Sequence, residues 1–267
     1  MAKAAEILKR SRKIVLKIGS NVLAGGGGVL DKERVRRIAG QALSLIGEGK
    51  EVIIVSSGAA VCGAAEIGGL NRREDINYKQ ALCAVGQIEL MMEYKKHFAE
   101  SGRAVGQILL TRENFLDVPS RLNVLNTLFT LLDEGVVPII NENDSVSTEE
   151  FSFGDNDSLA ALTAGLWDAD LLVIMSDVDG VFDSNPKENP DARLIEEVSD
   201  INVLGAEIVT GGVSAFGTGG MDSKLEAAAQ AGLLGIPMLL VNGLREDVLA
   251  DIANGGRCTV FIPEVEQ

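Results

Sequence analysis

The chain is 267 residues long and 46% hydrophobic, and its 39 acidic against 24 basic side chains give a formal charge of −15. That is enough apolar content for one large α/β domain or two smaller lobes, and the acidic excess argues against nucleic acid or an anionic membrane as the main partner, so an anionic ligand must be held by a few local cations. Cys62, Cys83 and Cys258 are scattered with no CxxC, which speaks against a disulfide framework or a zinc site; Met1 to Lys13 lacks a signal-peptide core, no stretch is apolar enough to span a bilayer, and the cytoplasm is the expected compartment.

Taken in order, strand-like and helix-like segments alternate with short turns. Lys13 to Ile18 is a short apolar run ending in Gly19-Ser20-Asn21, and Gly25 to Gly28 links it to a helix bearing Val35, Ile38, Ala42, Leu45 and Ile46 at three- and four-residue spacing. That helix closes near Gly47 and Gly49. Val52 to Val55 reads as a second strand, followed at once by Ser56-Ser57-Gly58-Ala59. A helical region around Lys79 to Ala99 precedes a strand at Val105 to Leu110, and Leu122, Leu125, Leu128, Phe129 and Leu132 mark a further helix before the apolar run Val136 to Ile140. Later, Asp170 to Met175 is a strand ending in Ser176-Asp177, Asp183 to Asp191 a polar loop, and Gly211 to Gly220 a glycine-rich segment opening onto the helix Leu225 to Ala231. Met238 to Val241 and Thr259 to Ile262 supply the last strands. With no internal repeat or low-complexity linker, this alternation predicts an α/β fold: a three-layer α/β/α sandwich with a mainly parallel central sheet.

The densest polar chemistry runs from Asn141 to Asp157, with Asn-Glu-Asn-Asp at 141–144 and Gly-Asp-Asn-Asp at 154–157. It follows the strand-like run at Val136, and ligands of open α/β sheets sit beyond the carboxyl ends of the strands. An acidic surface loop is the plain alternative. Asn156-Asp157 leads directly into Ser158-Leu159-Ala160-Ala161-Leu162, so Asp155 to Asp157 is expected to cap a helix.

Glycine-rich turns at strand-to-helix junctions bring backbone N–H groups and a helix N-terminus to a phosphate. No GxxxxGK[ST] and no GxGxxG occurs, which argues against a Walker ATPase and a nicotinamide dehydrogenase. In their place stand Lys17-Ile18-Gly19-Ser20-Asn21 and Gly217-Thr218-Gly219-Gly220-Met221-Asp222-Ser223-Lys224, each pairing glycine with a lysine. Lys17 lies inside a strand pattern, where burial demands a fixed anion unless the strand is an edge. A cation at Lys224, in the first turn of a helix, opposes the macrodipole unless an anion lies between. A phosphate would satisfy both.

These blocks, with Ser57-Gly58-Ala59 and Ser176-Asp177, resemble the amino acid kinase superfamily and, within it, the glutamate 5-kinase family; the match runs in order along nearly the whole chain. The resemblance implies a single amino acid kinase domain over residues 1–267, its N-terminal part mainly binding the amino acid and its C-terminal part mainly the nucleotide. It implies phosphoryl transfer from ATP, with Mg2+ bound to the nucleotide, to the side-chain carboxylate of L-glutamate in proline biosynthesis, with feedback inhibition by proline and a homo-oligomeric assembly. Members of the family often carry a further C-terminal domain of a type found in RNA-modification enzymes, whereas this sequence stops at Gln267, just past its kinase-like portion.

Carried over residue by residue, Lys17 and Lys224 flank the phosphoryl group in flight and Asp157 holds them in position. Lys17, Gly19, Ser176, Asp177, Thr218, Gly219, Gly220, Met221, Asp222, Ser223 and Lys224 meet the nucleotide. Ser57, Gly58, Asp144 and Asn156 meet the amino acid, with Asp144 suited to the amine and Ser57, backbone N–H groups and Asn156 to the carboxylates. Asp155 fits either a helix cap or the site. His97, beside Lys95 and Lys96 on a helix, reads as a solvated residue. Two competing readings are a sister kinase acting on acetylglutamate or aspartate and a non-catalytic amino acid sensor; the first needs a different amino acid pocket, and the second is expected to lack Lys17, Lys224 or Asp157.

Overall fold

The computed structural model describes residues 2–26, 28–68, 75–147, 156–186, 188–200 and 220–263. Helix α1 (Ala2–Arg10) leads into β1 (Lys13–Ile18), α2 (Ser20–Leu23), α3 (Lys32–Gly47), β2 (Glu51–Ser56), α4 (Ala59–Ile67), α5 (Ile76–Ala99), β3 (Val105–Leu110), α6 (Glu113–Leu116), α7 (Val118–Asp133), β4 (Val137–Glu142) and α8 (Asn156–Trp167). There follow β5 (Leu171–Ser176), the short strands β6 (Val181–Phe182), β7 (Leu194–Ile195) and β8 (Glu197–Val198), then α9 (Met221–Leu233), β9 (Met238–Asn242), α10 (Val248–Ala253) and β10 (Thr259–Phe261).

Among the described residues eight strands form one sheet in the order β3-β4-β2-β1-β5-β9-β10-β8. Neighbours from β3 through β9 are all parallel, and the direction reverses only where β10 meets β9. Strand β1 lies between β2 and β5. The chain turns from β1 to one side and returns on the other, so a crevice opens at the carboxyl end of β1.

Alternation of side chains across the strands builds the layers. Ile14, Leu16 and Ile18 join a core cluster with Ala4, Val35 and Leu90 from α1, α3 and α5. Val15 joins the other cluster, with Leu159 and Ala160 of α8 and Ala227 and Ala231 of α9. By the same period Lys17 falls on the Val15 face, below α8. The α/β/α sandwich with a mainly parallel sheet is therefore the observed architecture.

Four local expectations change. Helix α4 has no counterpart in the sequence reading, because Ala-Ala-Val-Cys-Gly-Ala-Ala carries no amphipathic stripe. It is held against α5 by backbone contact: a Cβ at Gly63 would lie 1.9 Å from Leu82 O, and one at Gly86 1.8 Å from Ala59 O. Strand β4 continues through Glu142, so Asn141 and Glu142 end a buried strand and do not begin a loop. Asn156 and Asp157 open α8 from inside its first turn, where they do not cap it, and Asp155 lies outside the described residues. His97 is buried, its Nε2 2.9 Å from Glu93 Oε1, because α5 turns that face inward; it is not a solvated residue. Among the described residues no helix is long and apolar enough to cross a membrane.

Candidate active site

The carboxyl ends of β1, β2, β4 and β5, with the first turns of α8 and α9, enclose a cavity of about 270 Å³. Nine of the residues singled out in the sequence line it: Lys17, Gly19, Ser57, Gly58, Asp144, Asn156, Ser176, Asp177 and Lys224. Ser20, Asn21, Val22, Ala59, Ala60, Lys79, Cys83, Asn141 and Glu142 complete the wall.

At the floor of this crevice β1 delivers Lys17 and the first turn of α9 delivers Lys224, only 5% and 7% exposed. The fixed anion that Lys17 requires is Asp157, fully buried at the start of α8. Lys17 Nζ is 2.5 Å from Asp157 Oδ1, and Lys224 Nζ is 3.1 Å from Asp157 Oδ2 and 3.3 Å from Gly220 O. The Ser223 hydroxyl lies 3.0 Å from both Asp157 Oδ2 and Gly220 O. Burial alone would push the Asp157 carboxyl up, but the two ammonium groups outweigh it and hold the group below the usual carboxylate range. Two cations share one carboxylate, so the cluster keeps a net positive charge and is complementary to an anion above it.

On the β2 and β4 side the wall is built from amides and hydroxyls. Ser57 N–H donates to Ile18 O at 3.1 Å, and Gly58 takes a positive φ of 98° to turn the chain into α4. A side chain at Gly58 would also approach Leu23 Cδ1 to 3.2 Å. Asn156 reaches from α8 and donates from Nδ2 to Ser56 O (2.7 Å), Asn141 Oδ1 (2.8 Å) and Ser57 Oγ (3.1 Å), joining the ends of β2 and β4. Asp144, in the turn after β4, is half-buried beside Glu142 and Cys83. Burial and then repulsion from Glu142 raise its carboxyl, while a hydrogen bond with the Cys83 thiol and the charge of Lys79 oppose them. Burial, then the Asp144 charge, pushes the Cys83 thiol up to about 12.

On the β5 side, Gly19 N–H donates to Met175 O at 3.0 Å, and a Cβ there would meet the same oxygen at 3.2 Å. Asn21 Nδ2 donates to Asp177 Oδ2 at 3.0 Å, and Ser176 Oγ to Asp177 Oδ1 at 3.2 Å. Gly220 caps α9, Met221 packs against the α8 and α9 core, and Asp222 is exposed in the first turn. Gly217, Thr218 and Gly219 lie outside the described residues.

Lys79, Cys83, Asn21 and Asn141 are not singled out as individual site residues by the sequence, whereas Glu142 is there the next candidate after Asp144 for the substrate amine. Lys79 and Cys83 are one turn apart on α5, a spacing that puts them on one helix face. Nothing in the local sequence aims that face at Asp144.

The family model that matches this chain is the amino acid kinase family, over residues 12–242. A glutamate 5-kinase of Alkaliphilus oremlandii is 49% identical over 97% of this chain and 99% of its own length. A glutamate 5-kinase of Geobacter metallireducens is 45% identical over 97% of this chain and 70% of its own. Among solved structures, the UMP kinase of Ureaplasma parvum superposes with a TM-score of 0.66 at 18% identity, covering 95% of this chain and 99% of that one. An isopentenyl phosphate kinase substrate complex gives 0.60 at 21%, covering 94% and 99%. These two likenesses are of fold.

Proposed function

This chain belongs to the amino acid kinase family, and we propose that it transfers the γ-phosphoryl group of ATP to the side-chain carboxylate of L-glutamate, forming L-glutamyl 5-phosphate, the first step of proline biosynthesis. The observation that carries the reading is the pair of buried lysines on Asp157. Phosphoryl transfer leaves a protein little covalent work; what it requires is alignment of the two oxygens and cancellation of charge on the oxygens in flight. Lys17 and Lys224 supply that charge from fixed positions, and Asp157 fixes them in advance of substrate. The attacking carboxylate is ionised at neutral pH and needs no general base, and His97, buried against Glu93, is not part of the cavity wall.

The amino acid is assigned to the Ser57, Gly58, Asp144 and Asn156 side. Asp144, whose carboxyl is raised, gains most from a cation and is the acceptor for the substrate ammonium group. The Ser57 hydroxyl and the turn at Gly58 face the carboxylates. Asn156 has its amide nitrogen committed to the protein, so the group it offers the substrate is Oδ1, an acceptor, in place of the donor its residue type first suggested. ATP is assigned to Gly19, Ser176, Asp177 and the residues from Thr218 through Lys224. Magnesium comes with the nucleotide and neutralises phosphate charge; the oxygen donors of Ser176 and Asp177 suit such a hard cation at the rim. The whole chain acts as one kinase domain, assembled as a homo-oligomer, and proline, sharing an α-carboxylate and a cationic amine with glutamate, competes for the same pocket.

An ATP-dependent hydroxamate assay with glutamate, aspartate and acetylglutamate in parallel tests the assignment. Glutamate is expected to be the preferred acceptor: acetylation removes the charge that Asp144 pairs with, and aspartate is one methylene short of the lysines. Preference for either alternative, or ATP binding without acyl phosphate formation, overturns it.

A further inference from the structure

Behind the amide wall lies a residue to which neither the cavity nor the chemistry assigns a part. Gln87, on α5, is 9% exposed and lines a neighbouring groove, not the catalytic cavity. Its Oε1 accepts from Asn141 Nδ2 at 2.8 Å. Asn141 Oδ1 in turn accepts from the Glu142 N–H at 2.9 Å and from Asn156 Nδ2 at 2.8 Å.

The amide orientations in this chain are fixed by backbone groups whose roles are unambiguous. Ser56 O can only accept, so Asn156 must turn its nitrogen toward β2. Glu142 N–H can only donate, so Asn141 must turn its oxygen toward it, and the Asn141 nitrogen must then face Gln87. Gln87 is left with its oxygen inward and its Nε2 buried with no hydrogen-bond partner among the described residues. A methionine would fill the same volume without stranding a donor. The acceptor is thus the part of this side chain that the site uses.

We propose that Gln87 is a positioning residue for the amino acid pocket: it anchors Asn141, whose oxygen holds the Asn156 amide in place beside the Ser57 hydroxyl. Without the Gln87 oxygen, Asn141 Nδ2 loses its acceptor inside a buried cluster, and the side chain can relieve the stranded donor only by moving off its position, which weakens the bond to Asn156. Gln87 touches no substrate, and its effect falls on the glutamate side and not on the lysine cluster.

The proposal rests on the glutamate reading of the cavity, and one set of kinetic measurements separates the two. If the unmodified chain shows no glutamate-dependent ATP turnover, that reading fails. If it turns over, Gln87→Met is expected to raise the glutamate KM about tenfold with ATP KM and kcat within about twofold, the size of one buried hydrogen bond. Gln87→Glu keeps an oxygen acceptor in the same place and is expected to bring KM back to within about threefold of the unmodified value. In an Asn141→Ala background, Gln87→Met is expected to add nothing further, because its path to the pocket is already cut. An unchanged KM in folded Gln87→Met, equal increases for ATP and glutamate, no rescue in Gln87→Glu, or a full effect in the Asn141→Ala background would each overturn it. Loss of folding in both Gln87→Met and Gln87→Glu would make Gln87 a core residue and overturn it equally.

Discussion

Asp157 lies beneath the lysines at the floor of the crevice and Asp144 in its wall, the first fully buried and the second half-buried, and their surroundings drive them in opposite directions. Asp157 is enclosed by Lys17, Lys224 and Ser223, and its carboxyl is held down despite burial. Asp144 is beside another carboxylate, Glu142, and its carboxyl is pushed up, with a thiol and the exposed Lys79 in partial compensation. One carboxylate is satisfied before any ligand arrives; the other is short of a cation. On the proposed reading, the first organises charge for the reaction, and the second is a place for a ligand to bring charge.

The sharpest way to break this contrast is to remove the satisfied charge. Asp157→Asn leaves two buried ammonium groups without their common partner, and the expected cost is about 3 to 5 kcal/mol of stability together with loss of turnover. Denaturant titration and steady-state rates check both; a variant as stable and active as the parent would mean that the lysines are not held by this carboxylate. Lys17→Ala and Lys224→Ala are gentler on the fold, because Asp157 keeps one cation in each. Each is expected to lower kcat by about 100-fold or more, the effect of losing one preorganised charge worth roughly 3 kcal/mol. Near-normal turnover in either folded variant would remove that lysine from the mechanism.

In the wall of the crevice, Asp144→Asn keeps the shape and deletes the charge. A hydrogen bond to a charged partner contributes roughly 1.5 to 3 kcal/mol, so the glutamate KM should rise at least about tenfold with ATP binding retained. The opposite separation, ATP weakened and glutamate untouched, would transfer Asp144 to the nucleotide side.

Acid titration should separate the two carboxylates without mutation. The Asp144 carboxyl is raised above its ordinary 3.8, so as pH falls it protonates before an ordinary aspartate does, and the glutamate KM rises there while the fold persists. The penalty for burying its charge disappears in the same step, so Asp144 does not destabilise the acid form. Asp157 is depressed below 3.8; its stabilising contribution is full above that value and is lost only as pH falls further, through the folded-state pKa. Loss of glutamate affinity should therefore precede acid unfolding, and the early step should be absent from Asp144→Asn. Coincident loss of both would contradict the opposite shifts.

The floor of the crevice was the more legible in the sequence. Lys17 in an apolar run and Lys224 in a first helical turn each violate a local rule, and such violations mark sites. The strand period also places Lys17 on the α8 face. The family blocks drew attention to Asp144 and Asn156, but which atoms these residues present depends on contacts that no local pattern contains. The Asn156 nitrogen is consumed by Ser56, Ser57 and Asn141, residues far from it in sequence. Cys83 and Lys79 reach Asp144 only because Gly63 and Gly86 let α4 and α5 meet backbone to backbone. His97 was misplaced for a related reason: α5 is covered on several sides, and its charged neighbours Lys95 and Lys96 gave no sign that the intervening face turns inward.

Cys83 offers the finest test of how Asp144 is tuned. With its thiol pushed up to about 12, Cys83 remains protonated through the working pH range and acts toward Asp144 only as a weak donor. That donation favours the ionised carboxylate and opposes burial and Glu142. Cys83→Ala removes it, so the pH at which glutamate affinity falls should move upward; Cys83→Ser supplies a stronger hydroxyl donor of similar size and should move it downward. At pH values well above that transition the glutamate KM is expected to change by no more than about threefold, the scale of one weak neutral donor. The order of the three profiles is the informative quantity. If alanine and serine displace the profile in the same direction, Cys83 acts on Asp144 by packing and not by hydrogen bonding, and the tuning of the unsatisfied carboxylate belongs to burial and Glu142 alone.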